Sequence, residues 1–462
     1  LAKPRDLTTG SILGSVWYLA WPIVLASLLQ VVMGIVDMVM VGRLPEEKGT
    51  PAVAALGCSL FVLMFVLTLG FAIATGAAIL MARRTGEKNI TAVANVSANA
   101  LTFTLVLCVL VLTPVGLLLM RPILAFVKAE GQAAVFMTQY LEISFYGLAV
   151  MFLLFICNSS FRTTGDARTP LVLLIAVNLL NFLLNWILIY GVTIGGFSIP
   201  ALEVRGAAIA TLLARLFGIV VSLKILWRHP RVMLGQVRLV QFDLRLWWTM
   251  FRIGFPNTLQ AIIRNTTNLI LLRIVAGTML HGTAVAAYMV GMAVIRVPVF
   301  IGLSFMQVGV ALVGQNLGAK KPDRAEAAGN WAARFSALAG FIITLVLVAF
   351  PYSIAGYFVK KPEPGLVPLA VQLYLIIGLS LPFLGHLLGT TGCLRGAGDT
   401  VSPLIFAIIS RIGLLIPLAW ILSQYTPLDV NGVWIAVGSS SILQFTLTYF
   451  WWRRGKWKHI KV

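Results

Sequence analysis

Apolar residues in this chain gather into long runs, separated by short polar stretches, from one end of the sequence to the other. Crossing a bilayer as a helix takes roughly 20 mostly apolar residues, and runs of that kind predict spans at 15–41, 52–80, 93–118, 136–160, 169–191, 204–226, 248–276, 283–313, 327–350, 367–393, 402–422 and 430–452. The count is twelve, an even number, so both ends of the chain fall on one side of the membrane. The first run is too long for a signal-peptide core and lacks a small-residue cleavage site, so it reads as a retained helix, and the missing initiator Met as trimming.

Composition supports the same expectation. Of 462 residues 59% are hydrophobic and 11% charged, whereas soluble domains carry roughly a quarter charged residues. The net charge of +20 raises the question of nucleic acid, and the distribution of Lys and Arg answers it. With the N-terminus inside, twenty-two fall in inner segments, among them Lys3, Arg83, Lys320, Arg453 and Lys461, against seven outside: Arg43, Lys48, Arg121, Lys128, Arg205, Lys360 and Lys361. That bias predicts a multi-pass protein of a bacterial or archaeal inner membrane, in contact with lipid, with both termini cytoplasmic. It leaves no charge for a nucleic-acid partner to explain.

The chain also repeats itself. Arg162-Thr163-Thr164-Gly165-Asp166-Ala167-Arg168-Thr169-Pro170 is echoed by Arg395-Gly396-Ala397-Gly398-Asp399-Thr400-Val401-Ser402-Pro403. Gly and Asp turn the chain, Thr169 or Ser402 can cap the next helix, and Pro fits its first turn. Pro22 pairs with Pro256, Gly70 with Gly302 and Gly86 with Gly318; Leu202 to Gly206 matches Leu428 to Gly432 with one outer loop shortened. The fold class is therefore an all-α membrane protein, two six-helix bundles related as parallel repeats about an axis along the membrane normal. The expected organisation is an N-terminal lobe at 1–226, a basic cytoplasmic connection at 227–247 and a C-terminal lobe with a basic tail at 248–462, with the substrate path in the cleft between lobes. A monomer is expected.

Ionisable side chains at bilayer depth mark function by default. Only Asp37 lies well within a span among the fifteen acids; Glu142 sits near an outer end. At 1.5 Å per residue Asp37, Asn185 and Thr211 share a level roughly 8–9 Å below the outer surface, and Asn178, Asn181 and Asn185 lie on one helix face. One carboxylate with amide and hydroxyl oxygens suits a proton or Na⁺. The bland alternative is that these groups merely join helices by hydrogen bonds. The second half offers Gln260 and Arg264 in place of an acid, with Arg296 near mid-span; Arg215, Arg273 and Arg411 are further intramembrane arginines. Met33 and Met292 suit a permissive cleft. Pro22 provides a place for the first helix to bend. The scattered Cys and His argue against a metal site, a disulfide framework or an enzyme, and no cofactor is expected.

The paired Arg-x-x-Gly-Asp-x-x-Thr/Ser-Pro loops, the six-helix repeat and the Gly314-Gln315-Asn316-Leu317-Gly318 turn resemble the multidrug and toxic compound extrusion (MATE) family over essentially the whole chain. The resemblance implies two lobes and Na⁺- or H⁺-driven efflux of mostly cationic, amphipathic drugs. It matches Asp37, Asn181 and Thr211 to an N-lobe cation site and Pro22 to a proline where the first helix bends. Many relatives have a second aspartate where this chain has Asn185, and the NorM-like branch has a glutamate where this chain has Arg264. The pattern is closer to the DinF-like branch, in which an arginine like Arg296 faces the cavity. The function expected is a cation-coupled (H⁺ or Na⁺) antiporter exporting small cationic amphiphiles by alternating access. The rival is a flippase for anionic lipid-linked precursors, motivated by the intramembrane arginines. A channel would want a ring of like residues, which the repeat does not supply.

Overall fold

The computed structural model describes residues 4–127, 129–194, 197–279, 281–358 and 365–460; Lys3, Lys128, Lys360, Lys361 and Lys461 lie outside them. In chain order the elements are α1 (Ile12–Gly42), α2 (Glu46–Gly86), α3 (Ile90–Leu118), α4 (Met120–Val127), α5 (Gly131–Tyr146), α6 (Leu148–Thr163) and α7 (Arg168–Tyr190). A hairpin of β1 (Val192–Ile194) and β2 (Phe197–Ile199) leads to α8 (Glu203–Trp227). Then follow α9 (Leu244–Ala276), α10 (His281–Gly318), α11 (Pro322–Ala349), α12 (Pro351–Phe358), α13 (Leu366–Gly378), α14 (Leu381–Ala397), α15 (Val401–Gln424) and α16 (Val430–Arg453).

Nine of these helices, among the described residues, are long and apolar enough to cross a membrane. Two further spans are broken: α5 and α6 meet at 51°, α13 and α14 at 50°. The remaining span, α9, runs unbroken for 33 residues but carries Arg252, Arg264 and Arg273 among many amides and hydroxyls. The predicted spans 136–160 and 367–393 are thus each a bent pair. The bends fall at equivalent places, at Gly147 and at Leu379–Ser380. Short helices α4 and α12 also correspond, each following the third span of its half. The β hairpin occupies the longer loop before the last helix of the first half; the second half makes only a turn before α16.

The chain divides into two compact units, one of Leu1–Arg5 with Leu25–Phe255 and the other of Asp6–Val24 with Pro256–Val462. The divisions fall within α1 and α9, close after Pro22 and just before Pro256. Each proline lies inside its helix, where it deprives the carbonyl four residues earlier of its amide partner. The first stretch of α1 therefore groups with the second unit, and the start of α9 with the first.

Each unit has its own core. In the first, Phe136, Leu141, Phe145 and Phe152 pack with Val41 and Leu56. In the second, the rings of Tyr288 and Trp434 stack at 5.6 Å, surrounded by Leu373, Tyr374, Ile377 and Val433. Large apolar side chains such as Ile35, Leu110, Leu179 and Val220 face outward, as lipid contact requires. Small residues let helices approach: a methyl on Gly392 of α14 would stand 2.1 Å from the Met306 carbonyl of α10. Such contacts substitute for hydrophobic driving force between membrane helices.

The repeated loops show why their residues recur. Asp166 Oδ1 accepts from the backbone N–H groups of Arg168 and Thr169 at 3.2 and 3.0 Å, and Asp399 Oδ1 from that of Ser402 at 3.1 Å. The cap is the aspartate, not Thr169 or Ser402 as the spacing suggested, because its carboxylate reaches forward to the orphan amides of the next turn. Gly165 and Gly398 have φ of +88° and +95°, the left-handed region that glycine enters freely.

Candidate cation-coupling site

The first unit brings Asp37 of α1, Asn181 and Asn185 of α7 and Thr211 of α8 together. Helix periodicity places the two asparagines one turn apart on one face. Asn185 Nδ2 donates to Asp37 Oδ1 at 2.7 Å. Asn181, with its amide oriented for hydrogen bonding, donates from Nδ2 to the same oxygen at 3.2 Å and accepts at Oδ1 from the hydroxyl and backbone N–H of Thr211, both at 3.3 Å. The Thr211 hydroxyl oxygen also lies 2.9 Å from the Ala207 carbonyl, and its single proton serves one acceptor or the other.

Two oxygens of this group keep capacity to spare. Asn185 is wholly buried, yet its Oδ1 has no hydrogen-bond partner among the described residues. Asp37 is only half-buried. Asn178, the third asparagine of the predicted face, makes no hydrogen bond to the group, and its Nδ2 is buried without a partner among the described residues. A buried amide oxygen without a donor costs free energy.

From the sequence alone Arg215 is an unassigned intramembrane arginine, and nothing marks Tyr140. Both belong here. Arg215 lies within electrostatic reach of Asp37 and of the buried Tyr140 hydroxyl. The signal was available: Thr211 and Arg215 are four residues apart on one helix and so share a face. Further along, near the C-terminal ends of both helices, the Tyr190 hydroxyl donates to the Met40 carbonyl at 2.6 Å and ties α7 to α1.

The other predicted residues lie elsewhere. Met33 is on α1 within the first unit, half-buried, and Pro22 is in the part of α1 that groups with the second. Gln260, Arg264, Arg296 and Met292 belong to the second unit, where Met292 packs against the Tyr288 core. The cysteines are all free, with Cys108, Cys157 and Cys393 buried, and no group of His, Cys, Asp and Glu among the described residues could hold a metal.

Twelve spans in two repeated sets, with a carboxylate and amide oxygens gathered within one of them, define a multi-pass membrane transporter built from parallel repeats. The chain belongs to the MatE family, whose model matches residues 22–187 and again 256–421, once for each half. It is 28% identical to the probable multidrug resistance protein YoeA of Bacillus subtilis, over 94% of this chain and 92% of that protein. It is 24% identical to the FAD transporter of Shewanella oneidensis, over 88% of this chain and 87% of the relative. Its fold matches a crystal structure of MATE in the bent conformation with a TM-score of 0.85 at 20% identity, covering 97% of this chain and 96% of the other. Members of this family are transporters, not enzymes.

Proposed function

We propose that the protein is a cation-coupled exporter of small amphipathic compounds, working by alternating access, with Asp37 as the residue that holds the coupling ion. The carrying observation is the orphan oxygen of the buried Asn185 beside a carboxylate that is itself only half-buried. Asn181 and Asn185 are amides, and an amide offers a donor on one side and an acceptor on the other. With the carboxylate bare, both donate to Asp37 and Arg215 supplies the balancing charge. When a proton or Na⁺ arrives, the Asn185 oxygen, the Thr211 hydroxyl and an Asn181 oxygen turned toward Asp37 supply hard donors. The amide pair thus serves both the empty and the loaded site, as an exchange cycle demands.

The family supports H⁺ or Na⁺ as the ion and drugs as cargo, cationic amphiphiles among them. The absence of a glutamate at Arg264 supports the DinF-like branch, with one coupling site in the first unit. The Lys and Arg bias supports cytoplasmic termini and an inner membrane, and a monomer suffices for the mechanism. In proteoliposomes, gradient-driven drug efflux by the wild type should fall in Asp37→Asn to the rate seen without a gradient. An Asp37→Asn protein that transports at the full gradient-driven rate sinks the proposal. Parallel runs with a pH gradient in choline and a Na⁺ gradient at constant pH separate the two ions.

The Shewanella relative's name favours a second cargo class, a soluble anion, and the charge within the second unit bears on it directly.

A further inference from the structure

The two units differ in how they balance charge. In the first, Arg215 acts electrostatically on Asp37. In the second, Arg395, Arg264, Arg411 and Arg296 project from four helices and no described acid pairs with them. Asp399, the nearest in sequence, is committed elsewhere: its Oδ1 accepts from Ser402 and its Oδ2 from Trp451 Nε1 at 2.7 Å. Arg334 stands apart, over the Trp331 ring at 5.4 Å.

The helices set the heights of these arginines. Arg395 of α14, only 9% exposed, donates to Gln260 Oε1 and to Met306 Sδ, and Gln260 Nε2 donates to the Pro403 carbonyl. Gln260, Met306, Pro403 and Arg395 therefore share one level near the inner end. At 1.5 Å per residue, Arg264 stands about 6 Å above it along α9, Arg411 about 12 Å above along α15, and Arg296 about 15 Å above along α10. Neighbouring steps feel each other: Arg264 acts electrostatically on Arg395 and on Arg411, and Arg411 and Arg296 both act on the Tyr288 hydroxyl. Arg264 and Arg296 are exposed and Arg411 is partly so. None of the three has a hydrogen bond or ion pair among the described residues. Arg411 sits in a π-helical stretch, Ile408–Leu415, a distortion frequent at functional sites.

We infer that these arginines form a ladder for a phosphate or carboxylate group, carried by a soluble cargo or by a lipid head group. Guanidinium groups are suited to such oxyanions because they present paired N–H donors in a fixed plane. With steps of about 3–6 Å in height, one anion can be handed from rung to rung. Arg395 is the anchored lowest rung, held by Gln260, and the upper three are free to bind. The inference rests on the transporter reading but not on the coupling ion, because binding needs no gradient.

The test uses the full chain in nanodiscs of phosphatidylcholine, probed with ADP as a soluble oxyanion and, by native mass spectrometry, with phosphatidylglycerol as a lipid one. Tetraphenylphosphonium serves as the cationic control. Arg264→Gln and Arg411→Gln should each weaken anion binding roughly tenfold, the loss of one charge-assisted hydrogen bond. Arg205→Gln, on the outer surface, should leave it unchanged, and Arg264→Lys should lose less than Arg264→Gln. ADP binding identifies a soluble cargo, phosphatidylglycerol alone a lipid one. If the Gln variants do not fold, wild-type binding should weaken as NaCl rises from 0.05 to 0.5 M at least as steeply as in any single-site ion contact. Failure of both anions to bind, or anion binding indifferent to both Gln variants or to salt, overturns the ladder. Loss of coupling in Asp37→Asn with anion binding intact would separate the two proposals.

Discussion

Replacing Asn185 by Asp tests the proposed site by making it more acidic. In the wild type the Asn185 amide donates to Asp37 Oδ1 at 2.7 Å. Asn185→Asp removes that donor and sets a second carboxylate against the first. Two unit charges at that separation repel by about 6 kcal/mol at an effective dielectric constant near 20. Side-chain relaxation and water lower the figure, and a cation held between the two groups relieves it. Tightening of Na⁺ binding by about ten- to thousandfold, roughly 1.4–4 kcal/mol, is therefore expected. The assay is thermal unfolding of purified protein at pH 8 in choline chloride or NaCl. Asn185→Asp should melt below the wild type in choline and regain stability in Na⁺, since a ligand present at 100 times its Kd adds about 2.7 kcal/mol. Removing Asp37 as well, in Asp37→Asn with Asn185→Asp, should abolish the Na⁺ response. Equal melting of Asn185→Asp in both salts, or an unchanged response in the double variant, refutes the reasoning.

Two further predictions concern the frame. Gly392→Ala puts a methyl 2.1 Å from the Met306 carbonyl and should cost about 1–3 kcal/mol, read as a lowered midpoint in denaturing-detergent titration; Gly356→Ala, with nothing within 4 Å, should stay within about 0.5 kcal/mol. Burial pushes the Asp166 carboxyl up, but His229, whose Nε2 is 3.6 Å from Oδ2, and the Thr169 N–H outweigh it and hold the group below the ordinary carboxylate value. A depressed carboxylate contributes stability that is fully present above its unfolded pKa and is lost as pH falls through its folded one. The acid limb of the stability curve should therefore flatten in Asp166→Asn, and an unaltered limb counts against the pair.

The spans, the repeat, the polar level of Asp37, Asn185 and Thr211 and the shared face of Asn181 and Asn185 were legible in the sequence because each is a matter of local length and spacing. An apolar run long enough to cross a bilayer must do so as a helix, whatever surrounds it. An acid at depth stands out because such acids are costly and rare. Hydropathy nevertheless hid the bends at Gly147 and Ser380, since a bent span and a straight one have the same composition. It also hid the cap, because Asp166 and Thr169 are both capping types and only the backbone path selects between them.

What the sequence by itself determined was a membrane protein of twelve helices in two related sets, with one acid at depth. Tertiary structure decided which polar groups meet. Asn185 reaches Asp37 from a different helix, Arg215 supplies the countercharge from a third, and Asn178, on the same predicted face, is left out. Likewise, four arginines scattered over the second half are isolated charges in the sequence. The level set by Gln260, Met306, Pro403 and Arg395 turns them into a series. The physical reason is that helix periodicity assigns a residue to a face and a height, while the neighbour across that face depends on how helices distant in sequence pack.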